Sequence, residues 1–275
     1  MRYAICNELF QSWPLTDVFR FVAEAGYGAV ELAPFTLAAS IFDLPAERRR
    51  EIARTAAVHG LEIAGLHWLL VSPPGLHVSH PDPAVRARTV AYLEELIRAC
   101  ADFGGKVLVF GSPKQRDVLP GLSREEATKL ALETFAACGR AAEANGVVFC
   151  LEALPAQDTS FMNTTAEVIG LVRRLDSPGV RMVLDVKSMC SESTPIPDLI
   201  RAAAPHLAHF HANDANRRGP GFGAVDFVPI FAALREVGYA GYVSVEPFDY
   251  SPSPEVVARE SLRYMREAAA RAGRP

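Results

Sequence analysis

The feature that most constrains this chain is a rhythm. Eight short apolar runs alternate with longer amphipathic stretches, with no break in composition. The runs are Tyr3–Cys6, Ala29–Glu31, Leu61–His67, Val107–Phe110, Val147–Glu152, Val180–Asp185, Leu207–His211 and Tyr242–Glu246. After each, the spacing of apolar positions predicts a helix: Thr16–Ala25, Ala46–His59, Pro83–Phe103, Arg124–Asn145, Thr165–Arg174, Pro195–Ala204, Asp226–Val237 and Pro254–Ala270. Glycines such as Gly26, Gly60, Gly104, Gly146, Gly179 and Gly238 close most of these stretches, where a left-handed cap is expected. Ser123-Arg-Glu-Glu126 and Thr164-Thr-Ala-Glu167 read as capping boxes. Val147-Val-Phe-Cys-Leu151 is apolar on both faces, as a parallel strand covered on both sides must be. Eight strand–helix units in 275 residues is the count of a closed (β/α)8 barrel. No GxGxxG follows the first strand to favour an open doubly wound sheet. The expected fold is α/β, a TIM barrel forming one domain over residues 1–275.

Composition removes several function classes. With 49% hydrophobic and 22% charged residues the chain reads as an ordinary globular protein, neither disordered nor fibrous. Lys+Arg 28 against Asp+Glu 32 gives a net charge of −4, which offers no bulk attraction to nucleic acid or an anionic membrane. No apolar run approaches the roughly 18 residues of a membrane span, and the start, MRYAICNELF, lacks the pattern of a signal peptide. Five cysteines without CxxC spacing fit a reduced chain. A cytoplasmic location is expected.

Barrel chemistry sits at the C-terminal ends of the strands. The fifth to eighth runs end in Glu152, Asp185, His211 and Glu246, each after an otherwise buried strand. Three carboxylates crowded together repel and protonate unless a cation compensates. Oxygen-rich ligation with one imidazole suits Mn²⁺, Mg²⁺ or Co²⁺ better than a thiolate-rich structural zinc site.

At these residues the chain resembles a known family. Leu151-Glu152-Ala-Leu, Leu184-Asp185-Val, His211-Ala-Asn-Asp-Ala-Asn-Arg217, Pro220-Gly-Phe-Gly-Ala-Val-Asp226-Phe and Val245-Glu246-Pro-Phe are similar to segments of the xylose-isomerase-like TIM barrels. The nearest branch is the sugar (phosphate) isomerases and epimerases that include the ketose 3-epimerases, such as those of D-tagatose and D-psicose. The resemblance implies one divalent ion, Mn²⁺ first, with Mg²⁺, Co²⁺ or Zn²⁺ as alternatives, held by Glu152, Asp185, His211 and Glu246. It also implies that Glu152 and Glu246 move protons beside the ketone and that Arg217 contacts the sugar. The chemistry is coherent: chelation of a ketose acidifies the C–H between its oxygens and stabilises a cis-enediolate. Carboxylates on opposite faces can then invert the stereocentre.

The family often carries Asp-x-x-His on the sixth strand, whereas this chain reads Asp185-Val-Lys187-Ser188. Lys187 is then a candidate substrate contact, or a solvated loop lysine. Asp158 falls where some epimerases place a second acid that touches substrate; the alternative is a helix cap. His67 and Trp68 end the third strand and are candidates to bind hydroxyls and stack on a sugar face. Glu31 ends the second strand, as a site residue or as part of a salt bridge inside the barrel. Lys114 and Arg116 after the fourth strand offer an anion grip or an ordinary loop. Gly219–Gly223 reads as a tight loop that aims Arg217 rather than a phosphate cradle. Cys150 and Cys190 flank the ligands without a histidine base in sequence.

The function expected is proton transfer on a keto sugar or related carbohydrate, with a small-molecule substrate and neither nucleic acid nor membrane as partner. A lyase, dehydratase or decarboxylase, on the same site stays open. An endonuclease IV-like repair enzyme is remote, because the strand-4 and strand-6 histidines and an Asp-x-His pair are lacking. A non-enzymatic binding module would leave the four ligands to structure alone. The family resemblance leaves a homodimer or homotetramer open.

Overall fold

The computed structural model describes residues 1–273. Eight parallel strands close on themselves in chain order: β1 (Arg2–Cys6), β2 (Ala29–Leu32), β3 (Glu62–Leu66), β4 (Val107–Phe110), β5 (Val148–Glu152), β6 (Val180–Asp185), β7 (Leu207–Ala212) and β8 (Tyr242–Val245). Around them run α1 (Leu15–Ala25), α2 (Ala46–Val58), α3 (Pro83–Asp102), α4 (Arg124–Asn145), α5 (Thr165–Leu175), the single turn α6 (Val186–Met189), α7 (Ile196–Ala203), α8 (Phe227–Glu236) and α9 (Pro254–Arg271). This is the (β/α)8 barrel the rhythm predicts, with element ends displaced by at most one residue. His67 and Glu246 thus stand one residue beyond β3 and β8. The 3-10 turns at Asn7–Phe10, Pro34–Thr36, Ile41–Asp43 and Ala204–His206 escape sequence reading, since so few residues carry no period.

Local chemistry sets the helix ends. Ser123 Oγ accepts from Glu126 N at 3.1 Å while the Glu126 carboxylate accepts from Ser123 N at 2.8 Å, so the capping box of α4 is complete. The box expected at α5 is half formed. Thr164 Oγ1 accepts from Glu167 N, but the Glu167 carboxylate takes the Asn163 N–H at 2.6 Å and Arg124 at 2.7 Å instead. Gly146 closes α4 in the left-handed region at φ 64°; Gly179, expected to do the same, has no positive φ.

The main core lies between sheet and helices, where Phe110, Phe135 and Phe149 are fully buried against one another. Each such ring contributes about 1.5–3 kcal/mol by leaving water. Smaller clusters stand apart from it: Ala4, Ala29, Ala64 and Tyr242, and Val107, Val109, Cys150 and Val183. Side chains two apart share a strand face. The face that carries Ala29, Cys150, Val183 and Ser244 therefore continues, two residues on, into Glu31, Glu152, Asp185 and Glu246. One face of the barrel wall changes from apolar to charged towards its C-terminal end. Among the described residues no helix is long and apolar enough to cross a membrane.

Candidate active site

Glu152, Asp185, His211 and Glu246 each offer one ligand atom, and these atoms all lie within 4.8 Å of one another. All four residues are buried. Strand register helps bring them together, pairing Asp185 with His211 and His211 with Ser244. Further contacts set each group. Asp185 Oδ1 accepts from Ser188 N at 2.8 Å, capping α6, while Oδ2 accepts from Asn213 Nδ2 at 2.5 Å. Asn213 also donates to the Glu246 carbonyl and accepts from Lys187 N, tying together the ends of β6, β7 and β8. Gly111 leaves the space that Glu152 uses: a Cβ there would overlap Glu152 Oε2. Glu31 reaches His209 Nε2 at 2.8 Å with one oxygen and His211 Nε2 at 3.1 Å with the other. His211 Nδ1 lies 2.8 Å from Glu246 Oε2, buried and without a well-directed hydrogen bond.

The charges conflict. Burial, reinforced by Glu246 and Asp185, pushes the Glu152 carboxyl up to about 8. Asp185 is raised by burial and by Glu246. Burial would raise Glu246 too, but His211 and His67 outweigh it and hold that group at about 2. Burial opposes protonation of His211, yet Glu246 and Glu31 raise it well above the usual imidazole range. A buried set of three carboxylates with one unpartnered imidazole nitrogen fits a hard divalent cation, which supplies the missing positive charge. The carboxylate–histidine contact at Glu31 is the support such a ligand takes in metal sites.

Glu152 and Glu246 line a cavity of about 300 Å³ together with His67, Trp68, Asp158, Lys187 and Arg217. Of the residues expected at the mouth, Asp185, His211, Glu31, Lys114 and Arg116 do not line this cavity. Their engagements differ. His67 is fully buried, with Nε2 2.9 Å from Glu8 Oε2 and Nδ1 3.1 Å from Glu246 Oε1. Both ring nitrogens thus face carboxylates, and the imidazole orients Glu246. Trp68 adopts a left-handed backbone, φ 54°, and packs edge-on against Phe35 and Phe248. Lys187 Nζ lies 2.9 Å from Asp158 Oδ2 and 5.0 Å from the centre of the Phe248 ring. The Arg217 guanidinium also covers Phe248, at 5.4 Å. Its backbone is left-handed at φ 71°, and its carbonyl accepts from the Phe248 and Asp249 N–H groups. Ser188 is buried.

Other expectations need correction. Arg116 is wholly buried, donating to the carbonyls of Glu152, Phe110 and Ser112, so it braces the strand ends instead of gripping an anion. Lys114 is exposed. In the 219–223 loop, Gly221 is left-handed (φ 86°) and a Cβ there would overlap the Tyr264 ring, as a tight turn requires. Burial raises the Cys150 thiol, and burial with Asp214 pushes Cys190 up to about 11, so neither is an activated nucleophile. Sequence reading missed Glu8, His209, Asn213 and Phe248 as site residues. His209 precedes His211, and Phe248 follows Glu246, by the same two-residue step that marks one strand face; Glu8, in a 3-10 turn, has no such signal.

A family model described as xylose isomerase-like TIM barrel matches residues 19–268. The D-psicose 3-epimerase of Ruminiclostridium cellulolyticum is 30% identical over 177 residues, which take in 62% of this chain and 59% of that protein. The match thus spans less than two thirds of that relative's length. The 3-dehydro-D-guloside 4-epimerase of Escherichia coli K12 is 23% identical over 273 residues, covering 97% and 99% of the two chains. Among solved structures, D-psicose 3-epimerase with D-tagatose from Clostridium cellulolyticum H10 superposes with a TM-score of 0.86 at 23% identity, over 98% of this chain and 99% of that one. At that identity the likeness is one of fold. With the closed barrel and the matched span, these findings establish that the chain belongs to the xylose isomerase-like TIM-barrel family.

Proposed function

We propose that this protein is a divalent-metal-dependent sugar epimerase or isomerase that moves a proton at the carbon beside a ketone of a keto sugar or related carbohydrate. What carries this is the convergence of Glu152, Asp185, His211 and Glu246, two of which line the cavity. The epimerase names of the similar proteins support the reaction class. The four side chains would hold Mn²⁺, or else Mg²⁺, Co²⁺ or Zn²⁺, which when bound would supply positive charge that acidifies the C–H beside a ketone.

The protein's own groups do the rest. Glu152 ends β5 and Glu246 directly follows β8, and both line the cavity. One takes the proton from the carbon beside the ketone; the other returns a proton to the opposite face, which inverts the centre. His67, flanked by Glu8, holds the Glu246 carboxylate through its Nδ1. Arg217 donates to sugar hydroxyls, and the rings of Trp68 and Phe248 offer an apolar surface to the C–H face of the ring. Lyase chemistry on a keto acid has less support, because Lys187 already faces Asp158 and Arg116 is buried.

The test is proton exchange. Metal-loaded protein in D₂O, offered a panel of ketoses and keto-glycosides, should incorporate deuterium beside the ketone and yield an epimer or isomer by NMR. No exchange with any member of the panel would overturn the reading.

A further inference from the structure

The cavity containing Glu152 and Glu246 is not the only hollow that Lys187 lines. A second hollow of about 220 Å³ adjoins it, and Gln157, Asp158, Lys187 and Arg217 line both. Its outer wall includes Ser191 and Ala215, from the loops after α6 and β7, and neither lines the inner cavity. The shared wall is polar, and its centre is the Lys187–Asp158 ion pair, with side chains 13% and 27% exposed.

That junction favours one ligand chemistry. An anionic group drawn to Lys187 would compete with Asp158 and leave a half-buried carboxylate without its partner. A neutral polyol meets no such conflict: the pair offers both donors and acceptors, and Gln157 adds an amide. The short side chains of Ser191 and Ala215 leave room beyond the junction for a group larger than a hydroxyl.

Resting on the epimerase reading, we propose that the outer hollow is a subsite for the group joined by a glycosidic bond to the reacting sugar. The preferred substrate is then an uncharged keto-glycoside rather than a free monosaccharide, with Lys187 and Asp158 as specificity-determining residues at the junction. The inner cavity takes the ring that reacts; the outer one takes the ring or aglycone that does not.

The test compares phenyl 3-keto-β-D-glucopyranoside with D-fructose and a phosphorylated ketose on the metal-loaded protein. The glycoside should be favoured in kcat/KM by about tenfold or more over both. Ala215→Trp, and independently Ser191→Trp, should raise KM for the glycoside about tenfold with kcat retained, since they remove binding energy common to ground and transition states. Neither should move the constants for D-fructose by more than about twofold. A thermal melt confirms that each variant is folded, and the two substitutions, in different loops, guard against a local defect in one. If both variants weaken the two neutral substrates alike, or leave the glycoside untouched, the subsite is refuted while the epimerase reading stands. A preference for the phosphorylated ketose refutes the neutral-ligand assignment. If no substrate exchanges deuterium, the epimerase reading fails and the subsite with it.

Discussion

His211 turns its Nε2 to Glu31 Oε1 at 3.1 Å, which leaves Nδ1 beside Glu246 Oε2 at 2.8 Å. Glu31 therefore selects which nitrogen of His211 is free to ligate. Glu31→Gln should disturb this choice, because the amide turns an NH2 donor towards one of the two imidazoles where Glu31 offers an acceptor to each. Affinity for Mn²⁺ should drop about 10–100-fold, as measured against a competing chelator. A change below about threefold would show that Glu31 does not act through the metal site.

Asp185→Asn and His211→Ala should each abolish retention of a divalent ion through gel filtration. The far-UV circular dichroism should stay that of an α/β barrel, because neither residue belongs to the apolar clusters. Elemental analysis gives the stoichiometry; an undiminished metal content in both variants removes these two residues from the ligand set.

The pH dependence follows from Glu152. In the metal-free protein burial, Glu246 and Asp185 push its carboxyl from 4.5 up to about 8. Between those values the native state binds the extra proton, so this group's contribution to stability is fully present below 4.5 and declines as pH rises towards about 8. A cation needs Glu152 ionised and His211 unprotonated, and both hold their protons more tightly than usual, so its apparent affinity should climb by about tenfold or more per pH unit towards pH 8. Calorimetry near neutrality, in buffers of different ionisation enthalpy, should register a proton released on binding. Affinity that is flat across this range would contradict the account.

Helix capping gives a prediction independent of the site. Ser123→Ala removes both bonds of the hydroxyl, the one it accepts from Glu126 N and the one it donates to the Glu126 carboxylate, while the backbone half of the α4 box stays; it should cost about 1 kcal/mol. For a chain of this size that lowers Tm by about 2–4 °C. Thr164→Ala deletes a single bond, since Glu167 is engaged by Asn163 and Arg124, and should cost less. Equal losses in the two variants would mean that the bond from the Ser123 hydroxyl to the Glu126 carboxylate contributes nothing.

The barrel was legible because each strand stands out as a short apolar run between amphipathic helices. Glu152, Asp185, His211 and Glu246 could be picked out because each interrupts such a run at the end where barrels build their sites. What surrounds them was less legible. Arg116 looks, in sequence, like a loop cation, and only the approach of three carbonyls reveals a buried brace. His67 carries the right position and residue type, but its clamping between Glu8 and Glu246 depends on a turn after β1 that no periodic pattern marks. Lys187 and Asp158 lie 29 residues apart, and their pairing exists only once β5 and β6 lie side by side.

The bare backbone at Gly111 limits how this loop can be redesigned. Sequence after β4 can be exchanged to reshape the mouth, but even one methyl at this position would evict a carboxylate from its seat. A randomised library across the segment should therefore tolerate diversity on the solvent side and return glycine alone at 111 among functional clones.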